Sequence, residues 1–360
     1  MLKALCRSLC LSLPLVASAQ GASVVFLNPG YSNETFWVSY SRFMQAAASD
    51  LGMDLSIQYS ERRPALALTQ ARQVLESAQR PDYLVLVNEQ YIAPEIIRLS
   101  HDSGVKLFLV NNGLTENQAR LIQEHPDKYA PVLGTLVGND EQAGYQMLKE
   151  LIALRARPGI TRPIEMLAFS GIKTTPAAQL REKGMRRALA EHPEVRLRQV
   201  VYGGWGKERA FEQAQQLLKR YPKIELVWSA NDEMAFGAMQ AFAEAGRMPG
   251  QDVLFSAVNS SPQALQARID GRLSVLMGGH FSLGGWAMVL LHDDAHNLPI
   301  DRDGHRDHQI PALQLIDPVR ARRWLNQQGR DDYGLDFHRF SAEGHSADYR
   351  YPFLEAPVNY

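Results

Sequence analysis

Two doubly wound α/β domains, each on a parallel sheet, are predicted by this sequence, and three observations carry the prediction. Short apolar runs alternate with segments of helix length, the pattern of parallel strands joined by right-handed crossovers. The alternation passes through two similar series. Once an N-terminal leader is set aside, roughly 340 residues remain, too many for one comfortable core and about right for two.

The leader comes first. Lys3 and Arg7 precede an apolar stretch from Leu9 to Val16, and Ala17-Ser18-Ala19 offers small residues to a signal peptidase. Residues 1–19 therefore read as an export signal cleaved after Ala19, its apolar part too short to span a membrane permanently. Cys6 and Cys10, the chain's two cysteines, both fall in this segment. A mature chain without cysteine fits the periplasm, an oxidising compartment, with no disulfides used.

In the first series the predicted strands are Val24-Leu27, Leu55-Tyr59, Tyr83-Val87, Lys106-Val110 and Val132-Val137. Between them Trp37-Leu51, Pro64-Ser77, Ala93-Ser103 and Gln118-His125 carry apolar residues at helical spacing. The second series has strands Ile164-Ser170, Leu197-Tyr202, Leu226-Ser229, Val253-Ala257 and Leu273-Met277. Its helices are near Ala177-His192, Lys207-Tyr221, Glu233-Ala245 and Pro262-Asp270. A basic helical pattern follows at Pro318-Gln328, and then an extension, residues 331–360, rich in aromatics. Its glycines argue against one long helix. It reads either as a tail covering its own domain or as a docking surface for a membrane partner.

The formal charge is −1 and 45% of residues are hydrophobic. No basic excess points to nucleic acid, and no later apolar run approaches the roughly 20 residues of a membrane helix.

Polar and aromatic side chains collect where strands hand over to helices, which is where open α/β sheets bind ligands. One such stretch is Asn28-Pro29-Gly30-Tyr31-Ser32-Asn33-Glu34-Thr35-Phe36-Trp37; another is Trp228-Ser229-Ala230-Asn231-Asp232-Glu233-Met234-Ala235. Together they resemble the type I periplasmic binding proteins of the ribose and galactose kind, and the autoinducer-2 receptor and its sensor-linked relatives, which share the fold while binding other small polar ligands, are the nearer conceptual match. The resemblance covers most of residues 22 to 315. It implies a three-segment hinge, with crossings near Gly138-Asn139-Asp140, near Met277-Gly278-Gly279 and around residue 312. The lobes would then be 22–138 plus 279–312 and 139–278 plus 313–330.

Carried over position by position, the resemblance implies a ligand site of Asn33, Phe36, Trp37, Asn88, Asn112, Gln179, Trp205, Asn231, Asn259 and His280, with Arg181 able to take the place of Gln179 if the register slides. Where relatives carry charged sugar clamps, this set is mostly carboxamides. It offers donors and acceptors to a neutral polyhydroxylated or carbonyl ligand stacked between Phe36, Trp37 and Trp205. Few titratable groups would touch the ligand, so affinity is expected to vary little between about pH 6 and pH 8.

Other motifs are set aside. Gly203-Gly204-Trp205-Gly206-Lys207-Glu208 lacks the first glycine and the Ser or Thr of a phosphate loop. His280-Phe281-Ser282-Leu283-Gly284 lacks the leading glycine of a nucleophile elbow. His292 and His296, with Asp301, Asp303, His305, Asp307 and His308 following, are rich in metal-ligand types but read as a solvated charged loop. No catalytic residue, metal or cofactor is expected. The resulting expectation is a monomeric, exported, non-enzymatic receptor that closes on a small polar, sugar-like ligand. It would present that ligand to the permease of an ABC transporter or, alternatively, to a membrane sensor kinase, cyclase or chemoreceptor.

Overall fold

The computed structural model of the chain describes residues 21–129, 131–155, 162–298, 300, 306–327, 333–346 and 349–356. The export signal and its cleavage point lie outside the described residues.

The first lobe alternates β1 (Ser23–Asn28), α1 (Thr35–Asp50), β2 (Asp54–Tyr59), α2 (Pro64–Leu75), β3 (Tyr83–Leu86), α3 (Ala93–Leu99), β4 (Lys106–Asn111), α4 (Glu116–Glu124) and β5 (Val132–Gly138). The second begins with α5 (Asp140–Arg155) and continues through β6 (Ile164–Ser170), α6 (Pro176–Glu191), β7 (Val195–Tyr202), α7 (Lys207–Arg220), β8 (Leu226–Ser229), α8 (Asp232–Glu244), β9 (Leu254–Val258), α9 (Pro262–Ile269) and β10 (Val275–Gly278). Then come α10 (Leu283–Ala295), β11 (Asp307–Ile310), β12 (Gln314–Leu315) and α11 (Pro318–Gln327).

Each lobe holds a six-stranded sheet, in the orders β11-β5-β4-β3-β1-β2 and β12-β10-β9-β8-β6-β7. All pairings are parallel except β10 with β12. Parallel sheets are covered on both faces, so their central strands are apolar throughout; Tyr83-Leu84-Val85-Leu86 of β3 and Leu226-Val227-Trp228-Ser229 of β8 are buried at every position. Local signals set helix starts. Thr115 and Gln118 form a reciprocal capping box at α4, and proline opens α2, α6, α9 and α11 at a position where no amide is needed.

The chain crosses between lobes at β5–α5, at β10–α10 and at β11–β12. The first and third crossings are stitched together: Asn139 Nδ2 donates to Leu313 O at 3.1 Å and Leu313 N donates to Asn139 Oδ1 at 2.9 Å. Beyond α11 the extension returns to the first lobe. Tyr333, Phe337, Tyr351 and Phe353 are buried there with Phe43 and Trp286, and the Trp286 and Phe353 rings stack at 5.0 Å. Asp307 and His308, expected in a charged loop, instead form part of β11 against β5; residues 301–305 lie outside the described residues.

Candidate functional site

In each lobe the strand order reverses beside the first strand, between β1 and β3 and between β6 and β8. Loops at the carboxyl ends diverge at such a point and leave a crevice. The two crevices face one another around a cavity lined by residues from nine strand ends. Glu34, Phe36 and Trp37 follow β1, Arg62 follows β2 and Glu89 follows β3, while Asn111 and Asn112 end β4. From the other lobe come Thr175, Ala177 and Arg181 after β6, Trp205 after β7, Asn231 after β8 and Asn259 after β9; His280 follows β10 in the hinge.

The lobes touch across this cavity. Thr175 Oγ1 donates to Glu89 Oε1 at 2.9 Å, and the Ala177 amide donates to Asn112 Oδ1 at 2.9 Å. Tyr91 and Gln179 bond at the rim. These bonds join the two lobes directly, so the arrangement is a closed one.

Two glycines seat two indoles. A Cβ on Gly30 would stand 2.1 Å from the Trp37 ring, and one on Gly171 would stand 2.2 Å from that of Trp205. Trp205 itself, with Arg62, Asn111 and Asn259, adopts a positive φ, a conformation that non-glycine residues hold only when their surroundings compel it. Phe36 stacks on His280, ring centroids 4.5 Å apart.

Charge is distributed in two paired networks. Arg62 grips Glu34 with two nitrogens and donates from Nη1 to Glu89 Oε1 at 3.1 Å. Burial raises the pKa of Glu89 although Arg62 opposes it. Arg181 donates to Asp140 Oδ1 at 2.7 Å and to the Ala230 carbonyl at 2.7 Å, and its Nη2 lies 3.3 Å from His280 Nε2. A guanidinium only donates, so His280 Nε2 accepts and its proton sits on Nδ1. Burial, then the Arg181 charge, holds His280 well below the usual imidazole pKa, so the ring is neutral. Both guanidiniums of the lining are therefore already paired, Arg62 with Glu34 and Glu89 and Arg181 with Asp140. Three ring nitrogens of the lining, Trp37 Nε1, Trp205 Nε1 and His280 Nδ1, are buried without a hydrogen-bond partner, a condition that native interiors rarely leave unanswered.

A family model described as a periplasmic binding protein domain matches residues 24–295. The chain belongs to the type I periplasmic binding protein family. It is 59% identical to a periplasmic sugar-binding protein from Pseudomonas fluorescens whose crystal structure superposes with a TM-score of 0.86, covering 92% of this chain and 98% of that one. It is 23% identical over 275 residues to the ribose import binding protein of Escherichia coli strain K12, spanning 76% of this chain and 84% of the relative. The crystal structure of a galactofuranose-binding protein, at 18% identity, shares the fold with a TM-score of 0.72 over 86% of this chain and 98% of that one.

Of the ten positions that the resemblance assigned to the site, Phe36, Trp37, Asn112, Trp205, Asn231, Asn259 and His280 line the cavity. Three do not. Asn33 is exposed on the β1–α1 loop, and its neighbour Glu34 turns inward to Arg62. Asn88 is fully buried below the cleft, where it bonds Gly113 O, Gln118 and the Ala93 amide; Glu89 faces the cavity. Gln179 is exposed, and Arg181 lies two positions on along the buried stripe of α6 with Ala177, Ala178, Gly184, Met185 and Ala188.

The expectation of an amide pocket is corrected accordingly. Glu34, Arg62, Glu89 and Arg181 all line it, and several amides serve the scaffold. Asn231 caps α8 at Met234 N and donates to Trp205 O, both at 3.0 Å, and Asn259 Nδ2 donates to buried Asp232 at 2.7 Å.

Proposed function

We propose that this protein is exported to the periplasm and delivers a neutral sugar to the permease of an ABC importer, acting as a binding protein and not as an enzyme. The observation that carries the ligand class is the lining itself: three aromatic residues, three unpartnered ring N–H donors and two carboxylates around a cavity whose two arginines are both already paired with carboxylates. Sugar hydroxyls both donate and accept, and the apolar face of a sugar ring packs on aromatic rings. An acid or amine ligand would have to break one of the two arginine–carboxylate networks. The Pseudomonas fluorescens sugar-binding protein and the Escherichia coli ribose import binding protein support the same ligand class, and the latter supports the import role.

The test is mass spectrometry of ligand released from natively purified protein, followed by calorimetry with neutral pentoses, hexoses and inositols. One sugar binding with 1:1 stoichiometry is expected. Release of a charged metabolite, with no sugar giving heat, overturns the proposal. A permease and an ATPase gene beside this one are expected; a sensor kinase gene in their place would redirect the partner.

A further inference from the structure

At the opposite end of the first sheet from the cavity, the extension and α10 bring together three metal-ligating side chains. His292, His338 and Glu343 each offer one ligand atom, and these atoms lie within 4.8 Å of one another. The place is an open groove at the amino ends of the strands, bordered by Ala22, Asp82 and Lys106, which immediately precede or begin β1, β3 and β4. Nothing in sugar capture uses it.

Proximity alone would say little, but the histidines are also oriented. His292 Nδ1 lies 3.1 Å from Asp293 Oδ1, and His338 Nε2 lies 2.8 Å from the Asp50 carbonyl. Both partners are acceptors, so those nitrogens carry the protons. The lone pairs then reside on His292 Nε2 and His338 Nδ1. Metal-bound histidines are held in this way, the far N–H given to a carboxylate or a backbone carbonyl. Asp293 is itself fixed: fully buried, it accepts from Ser341 Oγ, from the Ala342 amide at 2.6 Å and from Tyr351 Oη at 2.7 Å. Asp50 in turn accepts the Phe337 amide at 2.6 Å, which ties the segment carrying His338 to the end of α1.

We propose that His292, His338 and Glu343 form a zinc site that clamps the C-terminal extension to the first lobe, with water at the fourth position. Two imidazoles with one carboxylate suit zinc, whereas calcium and magnesium take oxygen ligands, and copper(II) and nickel(II) favour tetragonal geometry. Zinc bonds of about 2.1 Å place tetrahedral ligand atoms roughly 3.4 Å apart. Rotation of the exposed Glu343 side chain, with small shifts of the oriented histidines, supplies the contraction from the present spacing. Beside His292 in sequence stands an acidic stretch, yet its companions in the fold come from the extension.

The experiment uses the mature, tag-free protein stripped with chelator. Zinc chloride titrated by calorimetry should bind at one saturable equivalent, raise the melting temperature and slow proteolysis of the extension. Glu343→Gln, a change at an exposed position, should keep the metal-free melting temperature and sugar affinity of the wild type while weakening zinc binding by about tenfold or more, as should His338→Ala. Absence of saturable zinc binding, or binding that both variants leave unchanged, overturns the proposal.

Discussion

Trp205 lines the cavity with its N–H unpartnered, while Arg181 approaches its ring at 6.0 Å. Trp205→Ala removes both stacking area and donor, and calorimetry with the bound sugar should record a loss of about 1 to 3 kcal/mol in affinity. Arg181 and Gln179 make a sharper pair. Arg181→Gln strands Asp140, a carboxylate fully buried beside it, and loss of one partner from a buried pair costs about 3 to 5 kcal/mol, so the variant should melt well below wild type. Burial already raises the pKa of Asp140 against the opposing pull of Arg181, so the deficit should shrink as acid neutralises that group. Gln179→Ala, at an exposed position, should stay within about 0.5 kcal/mol of wild-type stability. Equal melting temperatures for Arg181→Gln and wild type would show that the Asp140 pair contributes nothing.

Loops at the strand ends seat the aromatic rings, and glycine is the residue that allows it. Gly171→Ala drives a Cβ into the Trp205 ring; overpacking of this kind costs about 1 to 3 kcal/mol. Because the ring can swing into the cavity, the loss should appear in sugar affinity more than in melting temperature, and an unchanged affinity would place the ring elsewhere. At this scale much was legible beforehand. Apolar runs marked β1 to β10, and the stretches Asn28–Trp37 and Trp228–Ala235 marked where the chain turns toward the cleft. What escaped has physical reasons. The helix α10 is buried on all sides and so shows no polar stripe to set its period, while β12 has only two residues. Within the site the misplacements were of one or two positions: Asn33 for Glu34, Asn88 for Glu89, Gln179 for Arg181. Loop residues have no fixed side-chain period, so which of two neighbours turns inward is decided by partners distant in sequence, as Arg62 decides for Glu34. In α6 the period does exist, and the buried stripe through Ala177, Gly184, Met185 and Ala188 singles out Arg181.

Closure brings carboxylates of different lobes toward one another, and this gives the whole molecule a pH dependence that an amide pocket would lack. Glu233, at the start of α8, is pushed up to about 7, first by burial, then by Asp232, with Lys207 opposing and Glu208 and Glu34 adding to it. Glu34 belongs to the facing lobe, so part of that shift exists only when the lobes meet. A carboxyl whose pKa is higher in the closed form favours closure while it is protonated. Its contribution to closure is present while it is protonated and is lost as pH rises through about 7, in proportion to the part of the shift that Glu34 adds. His280, held low by burial and by Arg181, acts in the opposite sense, since charging it in acid opposes the closed form. The decisive quantity is therefore the ratio of sugar affinities of wild type and Glu233→Gln across pH 5 to pH 8. Glutamine stays neutral throughout, so the variant should match wild type near pH 5 and bind more tightly, by a few-fold, near pH 8, with the divergence centred close to pH 7. A ratio that stays flat over this range would mean that Glu233 keeps its surroundings when the lobes open, and that closure carries no charge penalty from Glu34.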